Sequence, residues 1–134
     1  MCIFCNIVRG ELPADIIYED DKFIAILDKF PANHGHTLII PKVHAENLYD
    51  LPDEYASEIM PLAGKIARAL KKELSLEGLN ILQNNGKIAG QTVFHYHMHI
   101  IPRYDPDKMD IKWSTIEVDE TKVKLLLESL KVYG

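Results

Sequence analysis

Cysteine is scarce in this chain of 134 residues, and long apolar runs are absent. The two cysteines, Cys2 and Cys5, form a Cys-x-x-Cys pair, which is more typical of metal binding or redox chemistry than of a structural disulfide. No apolar run reaches the roughly 18 residues that a membrane helix needs, and no signal-peptide pattern opens the chain. We therefore expect a cytoplasmic protein that does not act on a membrane.

Positive charge is also sparse, because acidic residues outnumber basic ones and give a net charge of −5 at pH 7. The lysines and arginines are scattered along the chain and form no basic block. This distribution argues against non-specific binding to nucleic acid. It is compatible with a small anionic ligand that a few local groups would hold.

The chain does contain a regular series of short strands and helices. Its length suits one domain, residues 1–134, and an apolar content of 47% is ordinary for a globular protein. Hydrophobic periodicity and turn residues predict strands at 15–19, 22–28, 36–40, 78–83 and 93–101, and helices from 51 to about 73 and at 119–130. This order predicts an α+β fold, an antiparallel five-stranded sheet with one long helix and a C-terminal helix.

Three histidines at alternate positions are the most informative feature of the predicted strand 93–101. Side chains two residues apart on a strand share one face, so His95, His97 and His99 should line one surface. The residues between them are apolar and form a credible core face: Phe94, Tyr96, Met98 and Ile100. The histidine face must then meet solvent, a metal or a ligand.

Three explanations of the histidine face can be compared: a buried structural cluster, a metal site, and chemistry on a bound anion. Burial of polar rings without partners is costly, which disfavours the first. A site with ligands from one strand is possible for a metal. Imidazole attacks, donates and accepts protons near neutral pH, and this property favours chemistry on an anion.

The segment directly before the histidines is rich in glycine and amide side chains. Gly86 and Gly90 allow backbone amides to approach an anion, while Asn84, Gln91 and Thr92 supply neutral donors. An ordinary hairpin loop would use the same Asn-Gly pair. Beside three histidines, a phosphate cradle is the better interpretation.

The Cys-x-x-Cys pair is a candidate metal site. Zinc takes about four ligands, normally thiolates and imidazoles, and His44 with one of the strand histidines could complete the set. The alternative is a pair of free thiols near a frayed chain end.

Together these motifs resemble the histidine triad (HIT) superfamily of nucleotide hydrolases and transferases. The resemblance covers residues 2–103 and leaves 104–134 as a C-terminal extension. It rests on Cys2-Ile-Phe-Cys5, Leu12-Pro13-Ala14, Tyr18-Glu-Asp-Asp21, Asp28, Gly35-His36-Thr-Leu-Ile-Ile-Pro41-Lys42-Val-His44, and residues 84–101 with the glycine-rich turn and the triad. Pro102-Arg103-Tyr104 is similar to the Fhit branch, whereas Asp28 and the cysteine pair are similar to the Hint branch and to zinc-bearing bacterial or archaeal members.

The resemblance implies a role for each polar residue. His97 would be the nucleophile that attacks the α-phosphorus, with its other ring nitrogen held by a backbone carbonyl of the triad strand. His99 would bind the phosphate and the leaving group, and His36 would tune protonation of the cluster. Oxygens of the phosphate or the leaving group would be held by Asn84, Gln91 and Thr92.

The resemblance also implies how the nucleoside, the metal and a second subunit are bound. Asp28 would accept hydrogen bonds from the ribose hydroxyls, and the base would lie among Ile3, Phe4, Leu12 and Ile26. A structural Zn²⁺ would be held by Cys2, Cys5, His44 and His95. Relatives pair two protomers into one continuous sheet, so we expect a homodimer.

The expected substrate is a purine nucleotide conjugate, such as a nucleoside phosphoramidate, cleaved through a nucleotidyl-histidine intermediate. Two alternatives stay open at this point. One is a dinucleoside polyphosphate hydrolase in which Arg103 either reaches the polyphosphate or sits on a solvated rim. The other is a non-catalytic nucleotide-binding module with a regulatory role.

Overall fold

A computed structural model describes residues 2–134 and contains one antiparallel sheet of five strands in the order β1-β2-β3-β5-β4. The predicted α+β class is confirmed. The elements are α1 (Ile3–Val8), β1 (Ile16–Glu19), β2 (Phe23–Leu27), β3 (Thr37–Pro41), α2 (Asp53–Glu73), β4 (Gly78–Leu82), β5 (Met98–Arg103) and α3 (Glu120–Leu130), with short 3-10 turns at Lys87–Ala89 and Lys131–Tyr133.

The long helix α2 covers one face of the sheet. It begins after Pro52 with two acidic residues and ends after two lysines, an arrangement that complements the helix dipole. Its buried residues Ile59, Leu62 and Ile66 pack against the sheet, in a cluster that contains Phe23, Ala25, Ile39, Met98 and Ile100. Burial of each large aliphatic side chain contributes about 1.5–3 kcal/mol, so this layer is the main core.

The opposite face of the sheet is covered by the short helix α1. Ile24, Ile26, Leu38 and Ile40 from β2 and β3 pack there against Phe4 and Ile7. The sequence analysis missed α1, because six residues are too few to show a helical period. This second layer contains the candidate site.

The triad strand is shorter than predicted. The structure begins β5 at Met98 and not at residue 93. Pairing of β5 with β3 stops at Ile39↔Met98, and β3 ends two residues later at Pro41. Because proline has no N–H group, it cannot extend the ladder. The amide of Tyr96 donates instead to the carbonyl of Ala45, at 2.7 Å.

The alternation of side chains nevertheless persists through residues 95–100. Tyr96, Met98 and Ile100 are buried in the main core. Phe94 is 44% exposed, so its predicted place on the core face is wrong. Its segment has already left the sheet at that point.

The C-terminal segment projects from the domain. Every residue from 112 to 134 is exposed, although α3 has an apolar stripe of Val123, Leu126, Leu127 and Leu130. Asp119 caps this helix by accepting a hydrogen bond from the amide of Lys122. Across residues 2–134, no helix has both the length and the apolar character that crossing a bilayer would require.

Candidate active site

A cavity of about 590 Å³ lies between α1, the end of β2 and the segment that leads into β5. His97 and His99 line it together with Asp28 and Thr92. Its other walls are mostly apolar: Ile3, Phe4, Ile7, Leu12, Pro13, Ala14, Ile26, Leu27, Lys29, Phe30, Leu38 and Val93. A cavity with a few convergent polar groups on an apolar lining is the usual form of a small-ligand site.

The ring of His97 is held in one tautomer. Its Nδ1 lies 2.8 Å from the carbonyl oxygen of His95, and only a protonated nitrogen can donate to a carbonyl. Burial lowers the pKa of His97, so the ring is neutral near pH 7. Nε2 therefore carries a lone pair, which is the state required of a nucleophile.

The tautomer of His99 follows from a chain of hydrogen bonds that begins outside the cavity. The amide of Ala32 donates to His36 Nδ1 at 2.9 Å, so the proton of a neutral His36 lies on Nε2. That nitrogen is 2.9 Å from Nδ1 of His99 and donates to it. A neutral His99 consequently keeps its proton on Nε2 and can donate it to a ligand.

The same chain of hydrogen bonds opposes metal binding at a second cluster of possible ligands. Asp28, His36 and His99 bring one donor atom each within 4.8 Å of one another. For Nε2 of His36 to bind a metal, its proton would have to move to Nδ1, which already accepts a hydrogen bond from the amide of Ala32. Proton transfer suits this group better than metal ligation. Burial lowers the pKa of His99 to about 4, with the neighbouring His97 and His36 acting in the same direction.

Asp28 stands at the exit of β2, where the polar and apolar parts of the cavity meet. One of its carboxylate oxygens accepts the amide of Phe30 at 2.9 Å. The other lies 3.5 Å from His36 Nε2. The second oxygen therefore faces the histidine pair and retains accepting capacity for a ligand hydroxyl.

The four residues expected at the base, Ile3, Phe4, Leu12 and Ile26, all line the cavity. Phe4 also packs edge-on against His97, with ring centroids 4.9 Å apart. Phe30 and Val93 were missed by the sequence analysis. Phe30 is 91% exposed on the loop after Asp28. An aromatic residue two positions after the candidate ribose-binding aspartate is the sequence signal that could have found it.

The glycine-rich turn contributes less to the cavity than its composition suggests. Gly86 and Gly90 both adopt positive φ, as the turn requires. Of its polar residues, only Thr92 lines the cavity. Asn84 is half-buried and donates to the carbonyl of Gly90.

Gln91 is brought to the interior of the turn rather than to the cavity. It is 3% exposed, its Oε1 accepts the amide of Gly86, and its Nε2 donates to the carbonyls of Glu46 and Val93. These three bonds use its hydrogen-bonding groups and tie the turn to the loop before α2.

His95 points away from the cavity and joins the cysteine pair. Its Nε2 donates to the carbonyl of Pro41 at 2.8 Å, which leaves a lone pair on Nδ1. Nδ1 lies 3.4 Å from Cys2 Sγ, 3.5 Å from Cys5 Sγ and 3.1 Å from His44 Nδ1. Cys5 Sγ is 3.2 Å from His44 Nδ1. The four predicted ligands therefore converge on one point.

This donor set fits a tetrahedral zinc ion. Bond lengths of about 2.3 Å to sulfur and 2.0–2.1 Å to nitrogen place tetrahedral ligand atoms roughly 3.3–3.8 Å apart. The two separations from His95 Nδ1 to sulfur, 3.4 and 3.5 Å, fall within that range, and the other two, 3.2 and 3.1 Å, are slightly shorter. The hydrogen bonding around the ligands also fits a metal, because the bond from His95 Nε2 to the carbonyl of Pro41 fixes the orientation of this ligand ring. The thiol of Cys2 accepts the amide of Cys5 at 3.4 Å, as expected for a Cys-x-x-Cys knuckle.

Four of the five N–H groups of Arg103 already donate to neighbouring residues. Its Nε and Nη2 bind both oxygens of Asp107 at 2.9 Å, and Nη2 also donates to the carbonyl of Met109. Nη1 donates to Asn80 at 2.8 Å. Arg103 does not line the cavity, so the expectation that it reaches a polyphosphate finds no support in this geometry.

His97 and His99 line the same cavity, and the hydrogen bonds of their rings leave Nε2 of each available to a ligand. The HIT domain model matches residues 9–106, and this chain belongs to that family.

Related proteins match along most of their length. The chain is 50% identical to Protein hit of Bacillus subtilis over 85% of this chain and 79% of that protein. It is 42% identical to an adenosine 5′-monophosphoramidase of Saccharomyces cerevisiae, over 96% and 80% respectively. An adenylylsulfatase of Arabidopsis thaliana is 40% identical, over 92% of this chain and 61% of that protein.

Solved structures share the fold. A HIT family protein from Bacillus anthracis superposes with a TM-score of 0.91 at 40% identity, over 99% of this chain and 96% of that one. A Zn-bound histidine triad family protein from Mycobacterium smegmatis superposes with a TM-score of 0.78 at 40% identity, over 99% and 97%.

The lowered pKa of His99 predicts acid sensitivity. The unfolded chain takes up this proton near pH 6.5, whereas the folded protein does so only near pH 4. The stabilisation is therefore complete above pH 6.5 and is lost as the pH falls toward 4, by up to about 3 kcal/mol.

Urea unfolding between pH 7.5 and 4 measures this loss. We expect His99→Asn to flatten the curve of unfolding free energy against pH. The matched control His34→Asn changes an exposed histidine outside the cluster and should retain the slope of the unaltered protein. Identical slopes for all three proteins would contradict the assignment.

Proposed function

We propose that this protein is a hydrolase that cleaves purine nucleotide conjugates, above all nucleoside phosphoramidates, at the α-phosphorus. The observation that carries the proposal is the tautomer of His97. Its Nδ1 is engaged by the His95 carbonyl, so its Nε2 lone pair is free within a cavity that also contains His99 and Asp28.

In the first step, a bond forms between His97 Nε2 and the phosphorus, and the bond from phosphorus to the amine breaks. The departing amine requires a proton. A bound phosphate anion favours one extra proton on the His36–His99 pair, whose pKa values burial otherwise lowers. That proton passes from His99 Nε2 to the amine, and the pair becomes neutral again.

In the second step, water attacks the phosphorus of the nucleotidyl-histidine. The bond to His97 Nε2 breaks, the released nucleoside monophosphate takes the hydroxyl, and the remaining water proton returns to the His36–His99 pair. His99 thus serves as acid and then as base, as general acid–base catalysis in a two-step displacement requires.

The rest of the cavity recognises the nucleoside. Asp28 accepts hydrogen bonds from the ribose hydroxyls, and the base lies among Ile3, Phe4, Leu12 and Ile26. Thr92 donates to the phosphate. We assign Asn84 and Gln91 to holding the glycine-rich turn beside the phosphate, since Gln91 is buried and its groups already have backbone partners.

Two relatives support this substrate class, one named adenosine 5′-monophosphoramidase and one named adenylylsulfatase. The substrates that these two names denote share an adenylyl group and differ in the group attached to it. The alternative of dinucleoside polyphosphate hydrolysis loses its cationic contact, because Arg103 does not line the cavity and its guanidinium forms a bidentate pair with Asp107. Detection of the covalent intermediate would distinguish the enzyme from a non-catalytic nucleotide-binding module, because a binding module does not form it.

We also propose that Cys2, Cys5, His44 and His95 hold a structural Zn²⁺. A bound zinc ion would supply folding free energy rather than chemistry. Cys2 and Cys5 flank Ile3 and Phe4, which line the cavity, so the ligand set fixes the helix that forms one cavity wall. We place the protein in the cytoplasm, where thiols remain reduced and available to metal.

The active form is proposed to be a homodimer. Strand β4 is at the edge of the sheet, and an open edge of an antiparallel sheet is a liability that pairing with a second copy removes. The exposed apolar stripe of α3 also needs a partner, since an isolated helix of this length is marginal in water.

The mechanism predicts that His97→Ala lowers kcat on adenosine 5′-phosphoramidate by about 10³-fold or more, because the nucleophile is lost while binding contacts remain. Calorimetric affinity for AMP should change little. Acid-quenched unaltered protein should carry one nucleotidyl group by intact mass, and His97→Ala should carry none. His34→Ala, at an exposed position, is the control. Near-normal turnover by His97→Ala would exclude this nucleophile.

The zinc proposal predicts stoichiometric metal in purified protein by elemental analysis. Cys2→Ser with Cys5→Ser, or His95→Ala, should release the metal and lower the melting temperature. His97→Ala removes an imidazole two residues from His95 but should retain the metal. This control distinguishes the loss of a metal ligand from a general loss of stability. Metal-free protein whose melting temperature is unchanged by the cysteine substitutions would contradict the site.

The dimer predicts a mass of twice the 15.3 kDa chain by light scattering at micromolar concentration. Ile81 lies on β4 and Ile17 on β1, the two edges of the sheet, and both are partly exposed. Ile81→Lys should shift the protein toward single chains, because charge on an edge strand opposes pairing. Ile17→Lys on the other edge should not. A single-chain mass for the unaltered protein would refute the dimer.

A further inference from the structure

A buried polar network lies behind the cavity, and the mechanism above does not use it. Its centre is Asp107, whose side chain is 8% exposed. Asp107 accepts two bonds from Arg103 at 2.9 Å, one from the amide of Tyr104 at 3.0 Å and one from Asn33 Nδ2 at 3.1 Å. The guanidinium of Arg103 holds the pKa of this carboxyl well below its usual range, so it stays ionised.

This network fastens the segment after β5 to the loop between β2 and β3. Asn33 Nδ2 donates to the carbonyl of Pro102 at 3.0 Å in addition to Asp107. The hydroxyl of Tyr104 donates to the carbonyl of His34 at 2.7 Å. Two independent contacts therefore hold the tip of the loop.

The loop between these contacts orients the imidazole of His36. The amide of His36 donates to the carbonyl of Asn33 at 3.1 Å, and the amide of Ala32 donates to His36 Nδ1 at 2.9 Å. His36 then donates to His99 Nδ1. A continuous path of hydrogen bonds thus runs from Arg103 through Asp107 and the loop to His99.

The loop has little room to adjust on its other side. A side-chain carbon added at Gly35, where φ is +90°, would lie 2.7 Å from Leu74 Cδ1 and 3.2 Å from Pro102. The loop is therefore packed closely against the end of α2 and the end of β5. Its conformation has few alternatives while the polar contacts are intact.

We propose that Arg103, Asp107, Asn33 and Tyr104 are positioning residues for proton donation, which hold the loop so that His36 keeps the Nε2 proton of His99 directed at the leaving group. None of the four lines the cavity. This inference rests on the proposed function and adds to it a residue set that controls which leaving groups are cleaved.

The leaving group decides how much this positioning matters. An amine must be protonated as its bond to phosphorus breaks, and a well-placed general acid contributes about 10²–10⁴-fold to such a step. Sulfate is a stable anion and leaves without a proton. Misalignment of His99 should therefore slow the first step, nucleotidyl transfer to His97, on a phosphoramidate and spare that step on a phosphosulfate. The second step, in which His99 acts as base, is the same for both substrates.

The experiment measures the single-turnover rate of the first step, formation of nucleotidyl-His97, on adenosine 5′-phosphoramidate and adenosine 5′-phosphosulfate. Asn33→Ala removes the link between the loop and Asp107, and Tyr104→Phe removes only the hydroxyl bound to the carbonyl of His34. For both variants we expect the first-step rate on the phosphoramidate to fall about tenfold, since small misplacements of catalytic groups have effects of this order or larger. We expect the first-step rate on the phosphosulfate and the affinity for both substrates to stay within about twofold.

Asn80→Ala is the matched control. It removes another hydrogen bond of Arg103, but that bond leads to β4 and not to the loop. Its ratio of phosphoramidate to phosphosulfate cleavage should equal that of the unaltered protein. Melting temperatures of all variants establish that they are folded, and Tyr104→Phe preserves the test if Asn33→Ala does not fold.

Equal losses on the two substrates, or no loss in either loop variant, would overturn the positioning role. A selective loss in Asn80→Ala as large as in Asn33→Ala would also overturn it, because the effect would then belong to the network as a whole. Failure of the unaltered protein to cleave either compound is a different result, which would overturn the proposed function and this inference with it.

Discussion

The hydrogen bond from His95 Nε2 to the carbonyl of Pro41 is the contact on which both halves of the site depend. It is formed where the β3–β5 ladder ends, because proline cannot continue the pairing. The bond fixes the ring of a fully buried histidine, so that Nδ1 faces the cysteines. It also fixes the backbone of His95, whose carbonyl selects the tautomer of His97.

The proposed metal ligands and the cavity histidines are consequently parts of one unit. Helix α1 connects them a second time, because Cys2 caps the helix and Cys5 lies in its first turn, while Phe4 packs edge-on against His97. A change at the ligand cluster would reach the cavity both through the backbone of His95 and through the position of Phe4. The short helix is thereby a functional wall as well as a cover for the second face of the sheet.

Protonation within the site is set by hydrogen bonds to the backbone rather than by acidic side chains alone. The Ala32 amide determines the tautomer of His36, and through it that of His99. The His95 carbonyl does the same for His97. Burial lowers the pKa of all three rings, so each is neutral near pH 7. The loop between β2 and β3, which contains Ala32, therefore sets the tautomers of two of the three rings.

Local pattern in the sequence determined the fold class, the bounds of α2 and α3 to within two residues, and the types of residue in the site. The alternation of polar and apolar residues from Tyr96 to Ile100 is a property of strand geometry, so it could be read directly. Spacing of Cys2 and Cys5 likewise indicated a metal, and the apolar residues assigned to the base were found in the cavity wall.

Tertiary structure alone decided which of those residues act together. His95 and His97 belong to the same alternating pattern but face different sites. The pairing of β3 with β5 ends at Met98, so both histidines lie before the paired part of β5. Gln91 and Arg103 were predicted to contact the ligand, but Gln91 donates to Glu46, 45 residues away, and Arg103 donates to Asn80, 23 residues away. Hydrogen-bond partners distant in sequence depend on the packed chain, and local periodicity does not contain that information.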